Sequence, residues 1–435
     1  MFLTRRFYIA LAVVTGIIAA GYLYAPLFDI GRWLLLLFTM LCIADFCLLY
    51  GKRGISAFRQ CGERFSNGDD NDVRIPVEST YPFPLAIEVI DEIPVEFQQR
   101  DICFRARLAA QGEQTIRYRL RPTRRGVYAF GSIRVFAASP LSLLQRRYTC
   151  GQPQQVKVYP SYLMLRQYEL LAIHNHLTET GIKRIRRVGN NTEFEQIKDY
   201  VVGDDYRTIN WRATARRHQL MTNVYQQERS QQVFCLIDKG RAMQQAFRGM
   251  TLLDYAINAS LALAYVAMRK EDRAGLVTFA DDFGSYVPAS RQQGQMQTML
   301  EVLYAQQTLF GETDFSALST HVNKHVAKRS LMVLFTNFWG TVELRRQMPY
   351  LQQLNRRHKL LVVFFEDAEL ADYARRRADN EEEQFRHVIA EKFIYEKRLI
   401  AVTLRQYGIA ALLTTPDSLS VDVINRYLEL KQQSL

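Results

Sequence analysis

The first fifty residues restrict the fold more than any other stretch. Phe7 to Phe28, "FYIALAVVTGIIAAGYLYAPLF", contains no charged side chain. In hydrocarbon every backbone N–H and C=O must be satisfied within the segment, so such a run takes the form of a helix. At about 1.5 Å per residue it is long enough to cross a hydrocarbon core of about 30 Å. Asp29-Ile-Gly-Arg32 follows as a short polar break. Trp33 to Tyr50, "WLLLLFTMLCIADFCLLY", is a second apolar run whose single charge is Asp45. A hairpin of two transmembrane helices is predicted over residues 1–60. A cleaved signal peptide is the rival reading, since Arg5 and Arg6 precede the run and "GIIAAGYLYA" offers small residues. The length of the run and the second run directly behind it favour the hairpin. Arg5 and Arg6 flank the first helix, and Lys52, Arg53 and Arg59 flank the second. The positive-inside rule then places both ends in the cytoplasm. The expected location is the inner (cytoplasmic) membrane, multi-pass, with the bulk of the chain cytoplasmic.

The chain has 435 residues, 48% of them hydrophobic. That length exceeds what one core organises and predicts two or three domains. The net charge of +12 fits nucleic acid, acidic lipid or membrane-flanking residues. Nucleic-acid binding would need one continuous basic patch with exposed aromatics. Scattered arginines would count against it; a nucleic-acid-binding protein stays an alternative function, and no nucleic-acid partner is expected. The six cysteines form no CxxC and no zinc-like spacing, which predicts free thiols in a reducing compartment.

Residues 61–165 read as an antiparallel β-sandwich of immunoglobulin-like type. Short alternating runs such as "DVRIPVEST", "TIRYRLRPT" and "QQVKVYP" are separated by Pro and Gly. In "IRYRLR" the alternation puts Ile116, Tyr118 and Leu120 on one face and arginines on the other. Residues 231–435 read differently. "QVFCLID", "AGLVTFA", "SLMVLFTNF", "KLLVVFFED" and "GIAALLTT" are buried-strand candidates with helical patterns between them, which predicts an α/β doubly wound domain. Ligands on such sheets bind outside the carboxyl ends of the strands. Asp238 and Asn337 fall at such ends. The charged run from Glu366 to Val388 reads as a helical or irregular insertion with i,i+4 ion pairs.

Between the two lies a linker region, 166–230, with the densest local pattern. Glu193, Glu195, Asp199, Asp204 and Asp205 interleave with Arg207, Arg212, Arg216 and Arg217. Gly203 is expected in a turn, Asp204 or Asp205 at a helix N-cap, and Trp211 in a core. Paired carboxylates can do acid–base work, so a hydrolase using those near Gly203 is the enzymatic alternative. Because nearly every acid has an arginine nearby, interlocked ion pairs are expected instead, with no catalytic residue. No GxxxxGK[ST], HExxH or GxSxG occurs, and no small-molecule substrate is expected. His174 and His176, and His321 and His325, are close pairs without carboxylate partners.

This stretch closely resembles the signature of the DUF58 family. The matching residues are Glu193-Phe194, Tyr200, Gly203-Asp204-Asp205, Arg207, Ile209, Trp211, Ala215-Arg216, Leu220 and Glu228. Asn210 stands where the family usually has aspartate. Upstream, "TRRGVYAFGSIRVFAASPLSLLQRR" is similar to a second family element, with Ser142 replacing a glycine. The resemblance implies a C-terminal von Willebrand factor A-like domain and a partner of the MoxR type, an AAA+ ATPase, with a chaperone-like or cell-envelope role. It also implies a place for a metal site. Asp238 matches its first aspartate, and Gly240 and Ala242 stand where two serines would be. Thr313 matches its threonine, and Asn337 replaces a later aspartate. Mg²⁺ takes hard oxygens in octahedral geometry, so the losses imply a degenerate site without an ion, weak Mg²⁺ binding being the alternative. A restored Gly240→Ser/Ala242→Ser/Asn337→Asp chain is expected to regain metal. The function implied is that of a membrane-anchored adaptor or binding protein.

Overall fold

A computed structural model describes the chain except residues 52–53, 98–101, 163–191, 203, 228–229, 309–310, 377–379 and 434–435. The chain divides into two compact units, Met1–Ser161 and Tyr162–Leu435.

The first unit opens with strand β1 (Phe2–Leu3) and two helices, α1 (Arg5–Gly21) and α2 (Ala25–Tyr50). The chain reverses at Tyr22–Tyr24, earlier than the polar break the sequence suggested. Asp29 and Arg32 lie inside α2. Pro26 explains the shift: it has no N–H to lose and a backbone angle suited to a first helical turn, so the helix starts there. Among the described residues one helix, Pro26–Tyr50, is long and apolar enough to cross a membrane.

Among the described residues, ten strands follow: β2 (Ile55–Ala57), β3 (Arg64–Ser66), β4 (Asn71–Ser79), β5 (Leu85–Asp91), β6 (Cys103–Leu108), β7 (Glu113–Leu120), β8 (Gly126–Phe130), β9 (Ile133–Ala138), β10 (Leu144–Cys150) and β11 (Gln154–Tyr159). They form sheets ordered β1-β10-β9-β5-β6, β2-β4-β7 and β3-β11-β8. All pairs are antiparallel except β3 with β11. Alternation along β7 sends Ile116 and Leu120 into the core and Arg117 and Arg119 outward, as read from the sequence. Ile75, Val77, Ile87, Val89 and Val135 fill the space between the first two sheets. Beneath them a buried Arg59–Asp91 pair is joined by the Tyr118 hydroxyl. The described cysteines are all free.

In the second unit, β12 (Thr192–Asp199) and β13 (Met221–Gln227) form an antiparallel hairpin, with the short helix α3 (Trp211–Arg217) between them. The main sheet contains β14 (Gln232–Asp238), β17 (Arg273–Phe279), β18 (Phe283–Ser290), β19 (Leu331–Phe335), β20 (Lys359–Phe365) and β21 (Ala410–Thr414). A two-strand ribbon, β15 (Ala246–Phe247) and β16 (Met250–Thr251), precedes helix α4 (Leu252–Arg269). The sheet order is β18-β17-β14-β19-β20-β21, parallel apart from the antiparallel edge strand β18. Helices α5 (Gln295–Tyr304), α6 (Phe315–His325), α7 (Thr341–Arg357), α8 (Ala368–Arg375), α9 (Glu381–Gln406) and α10 (Leu419–Gln433) complete it. One face of the sheet packs on α4 and α10 through Ile257, Leu261 and Tyr427. The other packs on α6, α7 and α9 through Leu318, Leu351 and Leu404. Burial on both faces is why these strands read as continuous apolar runs. The sequence pattern does not reveal β18, because Gly284 and Pro288 weaken it. Proline is tolerated where no ladder donor is needed, as on an edge.

Candidate functional site

The direction of the chain's crossovers reverses at β14. From it the chain goes to β17 on one side, and the later strands β19 and β20 lie on the other. Crevices at such switch points, outside the carboxyl ends of the strands, are where parallel sheets take ligands. Asp238 ends β14, and Thr336 and Asn337 follow β19.

Asp238 is buried and held by three donors. Its Oδ1 accepts from the Gly240 N–H (2.7 Å) and the Thr313 hydroxyl (2.7 Å), and its Oδ2 from the Thr336 hydroxyl (2.6 Å). Burial pushes its pKa up, and these three bonds oppose that rise. The Thr313 contact depends on Gly240. A Cβ built there would lie 2.0 Å from Thr313 Oγ1 and 3.0 Å from Asp238 Oδ1. Gly240 is therefore more than a lost hydroxyl, because the threonine occupies the space a side chain would need. Ala242 is buried in the short turn Arg241–Gln244.

Asn337 is also buried, and its side-chain oxygen accepts from the Lys397 ammonium of α9. The same ammonium donates to the Phe338 carbonyl (2.5 Å). Burial pulls the Lys397 pKa down to about 8, against the opposing pull of Glu343 and Asp367. An ammonium thus stands beside the amide that replaces the later aspartate. Mg²⁺ would ask this place for about six hard oxygens. It offers one carboxylate already engaged three times, no hydroxyl at positions 240 and 242, and an amide oxygen facing a cation. This donor set does not fit a divalent ion. Among the described residues no group of three or more His, Cys, Asp or Glu is arranged to hold a metal.

Trp339 stands above this floor, 58% exposed, with its backbone N–H donating to Glu343 Oε2 (2.8 Å). A groove lies on each side of it. One, of about 330 Å³, is lined by Phe247, Phe365, Asp367, Phe393 and Lys397. The other, of about 680 Å³, is lined by Arg241, Thr313, Val342, Glu343 and Arg346. Lys397, Thr336 and Trp339 are not singled out by the sequence. Lys397 has a signal: it shares helical spacing with Ile394, Ile400 and Leu404, which puts a lysine on an apolar face.

The family signature lies elsewhere in this unit. Glu193 and Phe194 fall in β12, and the Tyr200 N–H that follows donates to the Leu220 carbonyl (2.8 Å). Asp204 accepts from Lys198 (2.9 Å) and the Val201 N–H (3.1 Å), which hold its carboxyl below the usual range. Asp205 caps the turn Tyr206–Thr208 through the Arg207 N–H, and Asn210 caps α3. Two expectations are corrected. Trp211 is 70% exposed rather than in a core. Asp204 pairs with Lys198, six residues before it at the end of β12, rather than with one of the arginines that the sequence sets among these acids. Gly203, Glu228, His174 and His176 lie outside the described residues. His321 and His325 stack on each other, ring centroids 3.9 Å apart. The charged run from Glu366 forms α8 and the start of α9, with an Arg386–Glu382 i,i+4 pair (2.5 Å).

Comparison with known proteins bears on this unit most. Residues 196–391 match the family model "Protein of unknown function DUF58". The "Uncharacterized protein YeaD" of Bacillus subtilis (strain 168) is 28% identical over 240 residues, 53% of this chain. The chain spans 60% of that relative's length. Among solved structures, the conserved hypothetical protein BatB of Bacteroides thetaiotaomicron is similar over 47% of this chain and 100% of its own, at 10% identity and a TM-score of 0.29. The CARDB domain of the PF1109 protein of Pyrococcus furiosus is similar over 24% of this chain and 88% of its own, at 11% identity and a TM-score of 0.20. Likenesses at these scores do not define a fold. The family model and the relative thus mark residues 196–391 of this chain as similar to DUF58 proteins.

Proposed function

We propose that this chain is a membrane-anchored adaptor whose α/β unit, of the von Willebrand factor A-like type, docks a protein partner at the carboxyl ends of its strands. The observation that carries the reading is the switch-point face itself. An exposed tryptophan stands between two grooves there, over a floor where Asp238 is fully hydrogen-bonded and Lys397 is held in a buried place. Large aromatic side chains flanked by pockets are the usual anchors of protein interfaces. The engaged carboxylate leaves docking independent of Mg²⁺.

In this reading α1 and α2 cross the membrane as a hairpin. The length of α2, about 39 Å at 1.5 Å per residue, supports it, and α1, about 26 Å long, is uncharged from Phe7 onward. Arg5 and Arg6 in the first turn of α1, and Lys52, Arg53 and Arg59, which follow α2 in the sequence, support a cytoplasmic position for both ends. The partner is proposed to be a MoxR-type AAA+ ATPase acting in a chaperone-like or cell-envelope role. Affinity capture from detergent-solubilised membranes, with and without ATP, tests this. Enrichment of an AAA+ ATPase by the native chain, lost with Trp339→Ala, supports the proposal. Capture of no such ATPase in either state contradicts it.

A further inference from the structure

The two N-terminal helices are bolted to the sandwich at both of their roots. At the start of α1, Phe2 and Leu3 pair with Gln145 and Leu144 as an added strand on β10. The Thr4 hydroxyl donates to the Ser142 carbonyl (2.5 Å) and the Leu143 carbonyl (3.1 Å). At the end of α2, Asp45 is buried. One of its oxygens accepts from the Ser139 hydroxyl, the other from the N–H groups of Leu143 (3.0 Å) and Leu144 (2.8 Å). Four residues on, Leu49 is in the sandwich core, and its carbonyl accepts from Tyr81 (2.6 Å) and Arg146 (2.7 Å). Both helices therefore leave from the 139–144 turn without a flexible linker.

Between the roots and the reversal the helices pack closely. A Cβ on Gly21 would lie 2.6 Å from the Phe28 backbone, and one on Gly31 2.7 Å from Ile18. From Ala25 to Ala44, α2 is about 30 Å long at 1.5 Å per residue, the thickness of a hydrocarbon core. Asp29 and Arg32 lie in its first turns, near the reversal, where a long side chain can reach the far headgroups. The sandwich surface at the roots has a mixed character. Phe2, Leu141, Phe46 and Tyr50 are exposed there, beside exposed Arg5, Arg6 and Arg147. Tyr50 stacks on Phe46, and the Arg146 guanidinium lies over the Tyr50 ring. Aromatic rings beside arginines are what a headgroup layer accommodates.

We propose that this edge of the sandwich, made of β1, the 139–144 turn and the end of α2, is a collar seated in the headgroups of a bilayer containing anionic phospholipid. The proposal rests on the membrane reading above and adds depth and rigidity to it. Asp45 marks where the membrane-facing part of α2 meets the folded domain. The arginines set the preference for anionic lipid, and the apolar rings set the depth.

The test uses the full chain in vesicles of phosphatidylethanolamine and phosphatidylglycerol. Single cysteines are added as Leu141→Cys, in the collar, or Gln155→Cys, on β11. A charged, membrane-impermeant maleimide is applied, and modification is read peptide by peptide so that the native cysteines do not interfere. Rates are referred to those in urea. The expected result is several-fold slower modification at position 141 than at 155. Protection is weaker in purely zwitterionic vesicles, and is lost from position 141 in an Asp45→Ala background that still floats with the vesicles. Equal modification at 141 and 155 in chains that float overturns the collar while leaving the anchor standing. Failure to float removes the membrane reading and the collar with it.

Discussion

Asp238 and its neighbours show how one residue type changes meaning with its surroundings. In the sequence, Gly240 reads as a missing ligand. In the structure it is the gap that lets Thr313 reach Asp238. A Gly240→Ser change puts a Cβ 2.0 Å from Thr313 Oγ1 and should destabilise the second unit by about 1–3 kcal/mol, as overpacking does. Adding Thr313→Ala should recover part of that loss, since neighbours sharing a contact are not additive. Thermal unfolding of the three variants measures both. The Gly240→Ser/Ala242→Ser/Asn337→Asp chain, which the sequence alone marks as a restored metal site, is now expected to bind no Mg²⁺ in calorimetric titration. Its new carboxylate at 337 would face the Lys397 ammonium.

Lys397 also predicts a pH dependence. Its folded pKa, about 8, lies below that of an unfolded lysine, near 10.4. Between these values the unfolded chain holds more protons, so stability rises with pH across the window; below pH 8 the full penalty is present. The penalty is on the order of 3 kcal/mol. Denaturant unfolding of the native chain should gain stability from pH 8 to 10 relative to Lys397→Met. Parallel curves would contradict the assignment. Asp238 and Asn337 are legible because strand ends mark them, and Thr313 only through the resemblance to the metal-site pattern. Lys397 is not, because it reaches the site from a helix sixty residues away in sequence, and only its place on an apolar face hints at burial.

At the scale of elements, the buried strands were legible and the boundaries less so. Continuous apolar runs gave five strands of the main sheet, and alternation gave β7. The charged pair Asp29 and Arg32 suggests a later reversal than the one Pro26 sets, because a proline in the first helical turn starts α2 there. Helix α4 begins at a reciprocal cap, with Thr251 accepting from the Asp254 N–H and Asp254 accepting from the Thr251 N–H. Thr251→Ala should cost about 1 kcal/mol, readable as a lower midpoint in urea. A Thr251→Asp change keeps a capping acceptor and should lose less.

For the whole molecule, the sequence and the structure agree on an apolar helical start, a β-rich first unit and an α/β second unit that contains the residues matching the DUF58 model. Function was less legible, because the signature region forms a hairpin with Asp204 and Asp205 engaged in turns, while the open face lies at the strand ends of the neighbouring sheet. Exposed aromatic residues do not stand out in a sequence whose core is also aromatic. Everything proposed for function turns on this face docking a protein around Trp339. The decisive experiment is quantitative capture of the AAA+ ATPase from solubilised membranes by the native chain and by Trp339→Ala, each with EDTA and with Mg²⁺, under nucleotide conditions held constant. Capture by the native chain should be unchanged by EDTA, and should be lost with Trp339→Ala. Undiminished capture by Trp339→Ala, or capture abolished by EDTA, would contradict docking of this kind.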